Sequence, residues 1–183
     1  MEKEYTIEEH VHRYACWTAA RAASTSRFSN TEVSQFITES GLKKALESLR
    51  LKDEMNHLIY KKWYVEQVNS LLEQMVKYNN LEDKKRIRLF GIAAKIVSIY
   101  IKTAEVLPSN GNSKISKVAF PPIDRFLLNG LKKQLKLTNI SWSKMEEEEY
   151  INLVETLKKF IGDEPFWKLE SYWDLSEIQT DYK

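Results

Sequence analysis

Apolar residues recur every three or four positions along most of this 183-residue chain, the spacing that gathers them on one face of an α-helix. Thr6-Ile7-Glu8-Glu9 has capping-box form, and the stripe Val11, Tyr14, Cys16, Trp17, Ala20 and Ala23 behind it predicts a first helix to about Arg27. Its small residues invite close packing. Ser29-Asn30-Thr31-Glu32 is a second capping signal ahead of Val33, Phe36 and Ile37, and Gly41 is placed to end that short helix. A third helix is predicted over 42–49. A long one follows over 53–78, where residues from Met55 to Met75 mark the buried face and Asn79-Asn80 closes it.

Residues 82–90 read as a short basic helix. After Gly91, the run Ile92, Ile96, Val97, Ile99, Tyr100 and Ile101 leaves almost no polar face, the signature of a central buried helix. Lys95 is conspicuous within it. Residues 108–117, rich in Ser, Asn, Gly and Lys, predict an exposed loop, and Pro121-Pro122 sets an extended entry to a helix over 123–135. A last long helix, over 143–161, carries Glu146 to Glu149 in its first turns, where the helix dipole favours acids. The aromatic run from Phe166 to Trp173 predicts a segment that docks back onto the body, with the final residues frayed.

Five glycines, four prolines and 43% hydrophobic residues, with no linker-like stretch, predict a single all-α helical bundle spanning residues 1–183. One cysteine excludes an intramolecular disulfide framework, and no apolar run is long enough for a signal peptide or a membrane span. The expectation is a monomeric cytoplasmic protein that meets no membrane. His10 and His12 stand two apart on a helix and diverge, and His57 has no companion at ligand spacing, so no metal and no cofactor is expected. Cys16, among alanines, reads as a core thiol.

Charge changes the picture. The formal net charge is only +2, yet residues 84–136 hold twelve Lys or Arg against Glu105 and Asp124, leaving sixteen bases and twenty-four acids elsewhere. A field concentrated on one segment suits a polyanion, because Lys and Arg gain by displacing counterions from a nucleic acid backbone. The bland alternative is a solvated surface neutralised by the acidic remainder of the fold.

Inside that segment lie Leu89-Phe90-Gly91-Ile92-Ala93-Ala94-Lys95 and Pro121-Pro122-Ile123-Asp124. The first resembles the helix-hairpin-helix of the helix-hairpin-helix/Gly-Pro-Asp DNA glycosylases, the 8-oxoguanine glycosylases among them, and the second resembles the Pro-Val-Asp that follows it. The chain departs from that pattern in carrying Ala93 where the family has a second glycine and in the 29 residues from Lys95 to Asp124. Over nearly its full length it is also similar to a group of uncharacterised bacterial proteins that share Ala15 to Ser24, Pro-Pro-Ile-Asp and Pro165 to Trp173; that likeness brings no function with it.

The glycosylase resemblance implies a base-excision enzyme acting on duplex DNA with a damaged or modified base. Lys95 would be the amine that attacks the sugar carbon, with abasic-site lyase chemistry through a Schiff base, and Asp124 the carboxylate that assists base expulsion. The residue types fit: an amine can form a Schiff base, and a fixed carboxylate stabilises the positive charge that develops on deoxyribose. The backbone at Gly91 and Ala93 would grip phosphate, with Arg86, Arg88, Lys102, Lys114, Lys117 and Arg125 along the track. A flipped base needs a stacking pocket, for which Trp17, Arg21 and Phe120 are candidates. Each has a plainer reading: Lys95 as a lysine whose stem packs on the core, Asp124 as a helix cap, Arg21 as a salt-bridge anchor. The alternative function is a non-catalytic helical module on the same scaffold, binding nucleic acid or protein.

Overall fold

In a computed structural model, which describes residues 5–23, 28–79, 89–137 and 140–173, the helix without a polar face runs through the centre. In chain order the helices are α1 (Ile7–Ala23), α2 (Asn30–Glu39), α3 (Leu42–Arg50), α4 (His57–Asn79), α5 (Phe90–Ile101), α6 (Arg125–Leu135) and α7 (Glu147–Ile161). Short turns of 3-10 helix cover Trp142–Lys144 and Phe166–Tyr172. The fold is all-α, as the periodicity predicts. The short basic helix expected over 82–90, and with it Arg86 and Arg88, falls almost wholly outside the described residues.

Helix α5 packs most extensively on α1 and α4. Ala15, Ala19, Ala20 and Ala23 of α1 are all at most 1% exposed, so four small side chains bring the two backbones together over the length of the contact. On the opposite side Tyr64 of α4 reaches across: its hydroxyl donates to the Ala94 carbonyl at 2.7 Å and lies 2.8 Å from Ser98 Oγ and 3.0 Å from the Tyr150 hydroxyl. That cluster satisfies every hydroxyl it buries.

The element ends differ from the sequence expectation where a cap decides them. Asn56 Oδ1 accepts from Ile59 N at 3.0 Å, so α4 starts at His57 rather than at residue 53. Glu146 and Glu149 form a reciprocal capping box, which starts α7 at Glu147 and leaves Trp142–Lys144 as a separate turn. The box predicted at Ser29 and Glu32 is present on α2, and Gly41, at φ +73°, turns the chain directly into α3.

Residues 108–117 run through turns with Pro108, Asn110, Asn112, Lys114 and Lys117 exposed, as their composition predicts, but part of the segment turns inward. Ile115 and Ser116 are buried, and Ser113 Oγ donates to the buried Glu105 carboxylate at 2.6 Å while Arg50 Nε holds its other oxygen at 2.7 Å. The Ser109 and Ser113 hydroxyls each meet Ser116 Oγ at 2.7 Å. A polar sequence is here the lining of a buried ionic anchor, and polar composition alone does not distinguish the two.

Phe120 is a second correction. It is 2% exposed, with its ring 4.8 Å from Tyr64, 5.1 Å from Tyr60 and 5.4 Å from Phe166, so it belongs to the core and does not line the cavity beside Lys95 and Asp124. The C-terminal aromatic run docks as predicted: Phe166 and Leu169 are buried, and Phe166 N donates to the Lys117 carbonyl at 3.1 Å.

Candidate active site around Lys95 and Asp124

Asp124 ends the extended Pro-Pro-Ile-Asp segment and is the N-cap of α6, with φ −144° and ψ −177°. Its Oδ1 accepts from Phe126 N at 3.0 Å, from Leu127 N at 3.1 Å and from the Trp173 indole N–H at 3.0 Å. Three donors on one oxygen leave Oδ2 to point at Lys95, whose Nζ lies 3.2 Å away. The cap reading and the reactive reading are thus served by different oxygens of one carboxylate. Both side chains are largely buried, Lys95 at 11% and Asp124 at 7%. A buried ion pair is not itself a source of stability, because desolvation offsets the attraction, so its presence asks for another reason.

Lys95 comes from the second turn of α5, one turn beyond Gly91. An added Cβ at Gly91 would lie 1.9 Å from the Trp142 carbonyl oxygen, so only glycine lets the Trp142–Lys144 turn seat on the start of α5. The Gly91 amide donates to Met145 O at 3.2 Å and completes that seat. Four residues further on, the Trp142 ring lies under the Lys95 ammonium, 4.8 Å from ring centroid to Nζ. The Gly91 to Lys95 spacing therefore works through packing. Phosphate gripping by Gly91 and Ala93 is corrected: both are buried, and the Gly91 amide is taken by Met145. Phe90 through Lys95 are helix, not a hairpin turn.

Beside the pair opens a cavity of about 450 Å³, a size that small-ligand sites share. Tyr14 and Thr18 of α1 form one wall; Lys95, Ile99 and Thr103 form another; Asp124, Phe126 and Trp173 close a third. The wall from α5 continues into a π-helical turn, Lys102–Val106, marked by the Leu107 N to Lys102 O bond at 2.9 Å. Lys102 lines the cavity as well and pairs with Glu170 of the C-terminal segment.

Of the remaining predicted residues, Lys114, Lys117 and Arg125 are exposed, with the Lys114 ammonium bonded to the Lys52 carbonyl. Trp17 and Arg21 are exposed on α1 next to the stripe that lines the cavity, without lining it. The cavity residues that sequence reasoning missed are Tyr14, Thr18, Thr103, Glu170 and Trp173, with Trp142 behind Lys95. Only Tyr14 and Thr18 carried a signal, since they share a helical face with Trp17 and Arg21.

Cys16 is no rival nucleophile. Burial pushes its thiol up to about 11, and His12 Nδ1 stands 3.7 Å from the sulfur while bonding the Tyr100 hydroxyl at 2.9 Å. We expect iodoacetamide at pH 8 to alkylate the folded protein roughly two orders of magnitude more slowly than the urea-unfolded chain, as the thiolate fractions dictate. Equal rates would show the thiol to be reactive. Among the described residues, no group of three or more His, Cys, Asp or Glu could hold a metal ion, and no helix is long and apolar enough to cross a membrane.

No family model matches the chain, and neither a curated protein nor a solved structure matches it.

Proposed function

We propose that the protein is a DNA base-excision enzyme in which Lys95 is the nucleophile and Asp124 its electrostatic and proton-transfer partner. The observation that carries this reading is the 3.2 Å approach of Lys95 Nζ to Asp124 Oδ2 at the wall of an aromatic-edged cavity. An amine and a carboxylate so placed suit displacement at an electrophilic carbon that gains positive charge. The nucleotide flips into the cavity, and its glycosidic C–N bond breaks with the electron pair moving to the base. Asp124 faces the cationic sugar. Nζ then passes a proton through Asp124 to the departing base, and its freed lone pair closes on C1′. Ring opening moves a proton from nitrogen to the ring oxygen and leaves a protonated Schiff base. Exposed Arg125, next to Asp124, supplies positive charge for a flanking phosphate, and Lys102 on the cavity wall does so on exchanging Glu170 for phosphate.

Borohydride trapping tests the proposal. Duplexes carrying 8-oxoguanine, uracil or an abasic site are incubated with the protein and reduced; a covalent protein-DNA adduct on at least one is the expected result. Asp124→Asn divides the two roles. Asn still caps α6 through its oxygen, but its NH₂ then faces the Lys95 ammonium and stability falls by about 3 kcal/mol; in the folded variant, excision of an intact base drops about 10²- to 10³-fold for want of the carboxylate charge. Trapping on a pre-formed abasic site survives, because no base has to leave. Unchanged excision by this variant would remove Asp124 from the mechanism.

One observation favours a second reading, a binding module without chemistry. The backbone at Gly91 and Ala93, through which the resembling enzymes would hold phosphate, is buried here. Salt-sensitive DNA binding with neither an adduct nor a released base on any of the three duplexes is the result that selects it; base release without an adduct points instead to a single-step glycosylase relying on Asp124.

A further inference from the structure

Helix α1 presents two faces of opposite kind. Its inner face is alanine, and its outer face places Tyr14 and Trp17, 52% and 54% exposed, with their rings 5.6 Å apart and 23° from parallel. Arg21 extends the row one turn further, its guanidinium carbon 5.8 Å from the Trp17 ring. No acidic residue occurs between Tyr14 and Ala23. Neither ring is buried in the core, which α1 enters through Ala15, Ala19, Ala20 and Ala23. Large aromatic rings left half in water, aligned and continued by a cation, form a surface that takes another flat π-system.

The position of the row names the occupant. Tyr14 is both its first member and a wall of the cavity that holds Lys95 and Asp124. We infer that Tyr14, Trp17 and Arg21 form a stacking ladder for an unpaired nucleobase of the DNA strand bordering the flipped nucleotide. This deepens the base-excision reading and rests on it. Extruding one base leaves its neighbour or its former partner unstacked, and an aromatic face beside the cavity entrance replaces the lost stacking whatever the base. Arg21 adds a cation-π partner and a donor for the adjoining phosphate.

The experiment uses a duplex with an unreactive tetrahydrofuran abasic site and 2-aminopurine placed next to it or opposite it. With the wild-type protein, 2-aminopurine fluorescence is expected to be quenched on binding at one of the two positions. Trp17→Ala, a change at an exposed position, removes that quench and weakens binding about 5- to 100-fold, the span of one base-aromatic stack. Trp17→Phe restores most of both. Wild-type affinity and quenching in Trp17→Ala and in Tyr14→Ala would overturn the ladder. So would sedimentation showing a dimer that Trp17→Ala dissociates without any change in DNA binding, since the row would then be a contact between two copies of the chain. Loss of quenching in Trp17→Ala, together with no borohydride adduct and no base released by the wild type, leaves the ladder standing and sinks the excision chemistry.

Discussion

Replacing Lys95 by Gln abolishes the borohydride adduct and lowers strand cleavage by about three orders of magnitude or more, the loss expected when a covalent nucleophile is removed. Gln is the informative choice. Its amide cannot form a Schiff base, while Asp124 Oδ1 keeps its donors from Phe126, Leu127 and Trp173. Asp124 keeps its three hydrogen bonds but loses its counter-charge, so stability should fall by about 3 kcal/mol. Circular dichroism melting and DNA binding by anisotropy supply the controls. The expected pattern is a folded protein that binds duplex DNA with near wild-type affinity and forms no adduct. Normal cleavage by the variant would refute the assignment of Lys95 whatever else the protein does.

Gly91→Ala should destabilise the fold by about 3 kcal/mol or more. The new Cβ would meet the Trp142 carbonyl at 1.9 Å, and the obstacle is backbone, which cannot rotate away. Either the Trp142–Lys144 turn lifts off α5 or the start of α5 moves, and both break the Gly91 N to Met145 O bond. For a chain of this length that loss lowers Tm by roughly 6–12 °C. The same displacement pulls the Trp142 ring away from Lys95, so activity falls together with stability. A glycine kept for backbone contact with phosphate would behave otherwise: DNA affinity would fall and Tm would stay. Thermal melts beside salt-dependent binding curves separate the two, and an unchanged Tm would show that the structure around Gly91 yields where we expect it to resist.

The Lys95 and Asp124 pair illustrates how far residue order reaches. Both were legible as chemical outliers, one a lysine in a helix with no polar face, the other an aspartate closing a Pro-Pro turn at a helix start. Their meeting was not, because 29 residues intervene and part of the segment between them folds inward around Glu105. Trp142 gave no local sign of its place, and Trp173 only the sign that its aromatic run docks on the body, since the position of each depends on what it packs against. Phe120 misled for the same reason. An aromatic residue beside a Pro-Pro pair reads equally as pocket or as core until its neighbours are known.

Local physics explains what the chain determined alone. Hydrophobic period, caps at Ser29, Asn56, Asp124 and Glu146, and the turn at Gly41 all act within a few residues, and they dictate an all-α fold with a buried central helix. Tertiary packing decided the rest. It turned Gly91 from a candidate phosphate contact into the seat of a 3-10 turn, and folded Ser109, Ser113 and Ser116 of the predicted loop inward around Glu105. It also brought the cavity together from α1, α5, the start of α6 and the C-terminal segment, since which faces of separate helices share one space depends on close packing, and no pattern along a single helix records that.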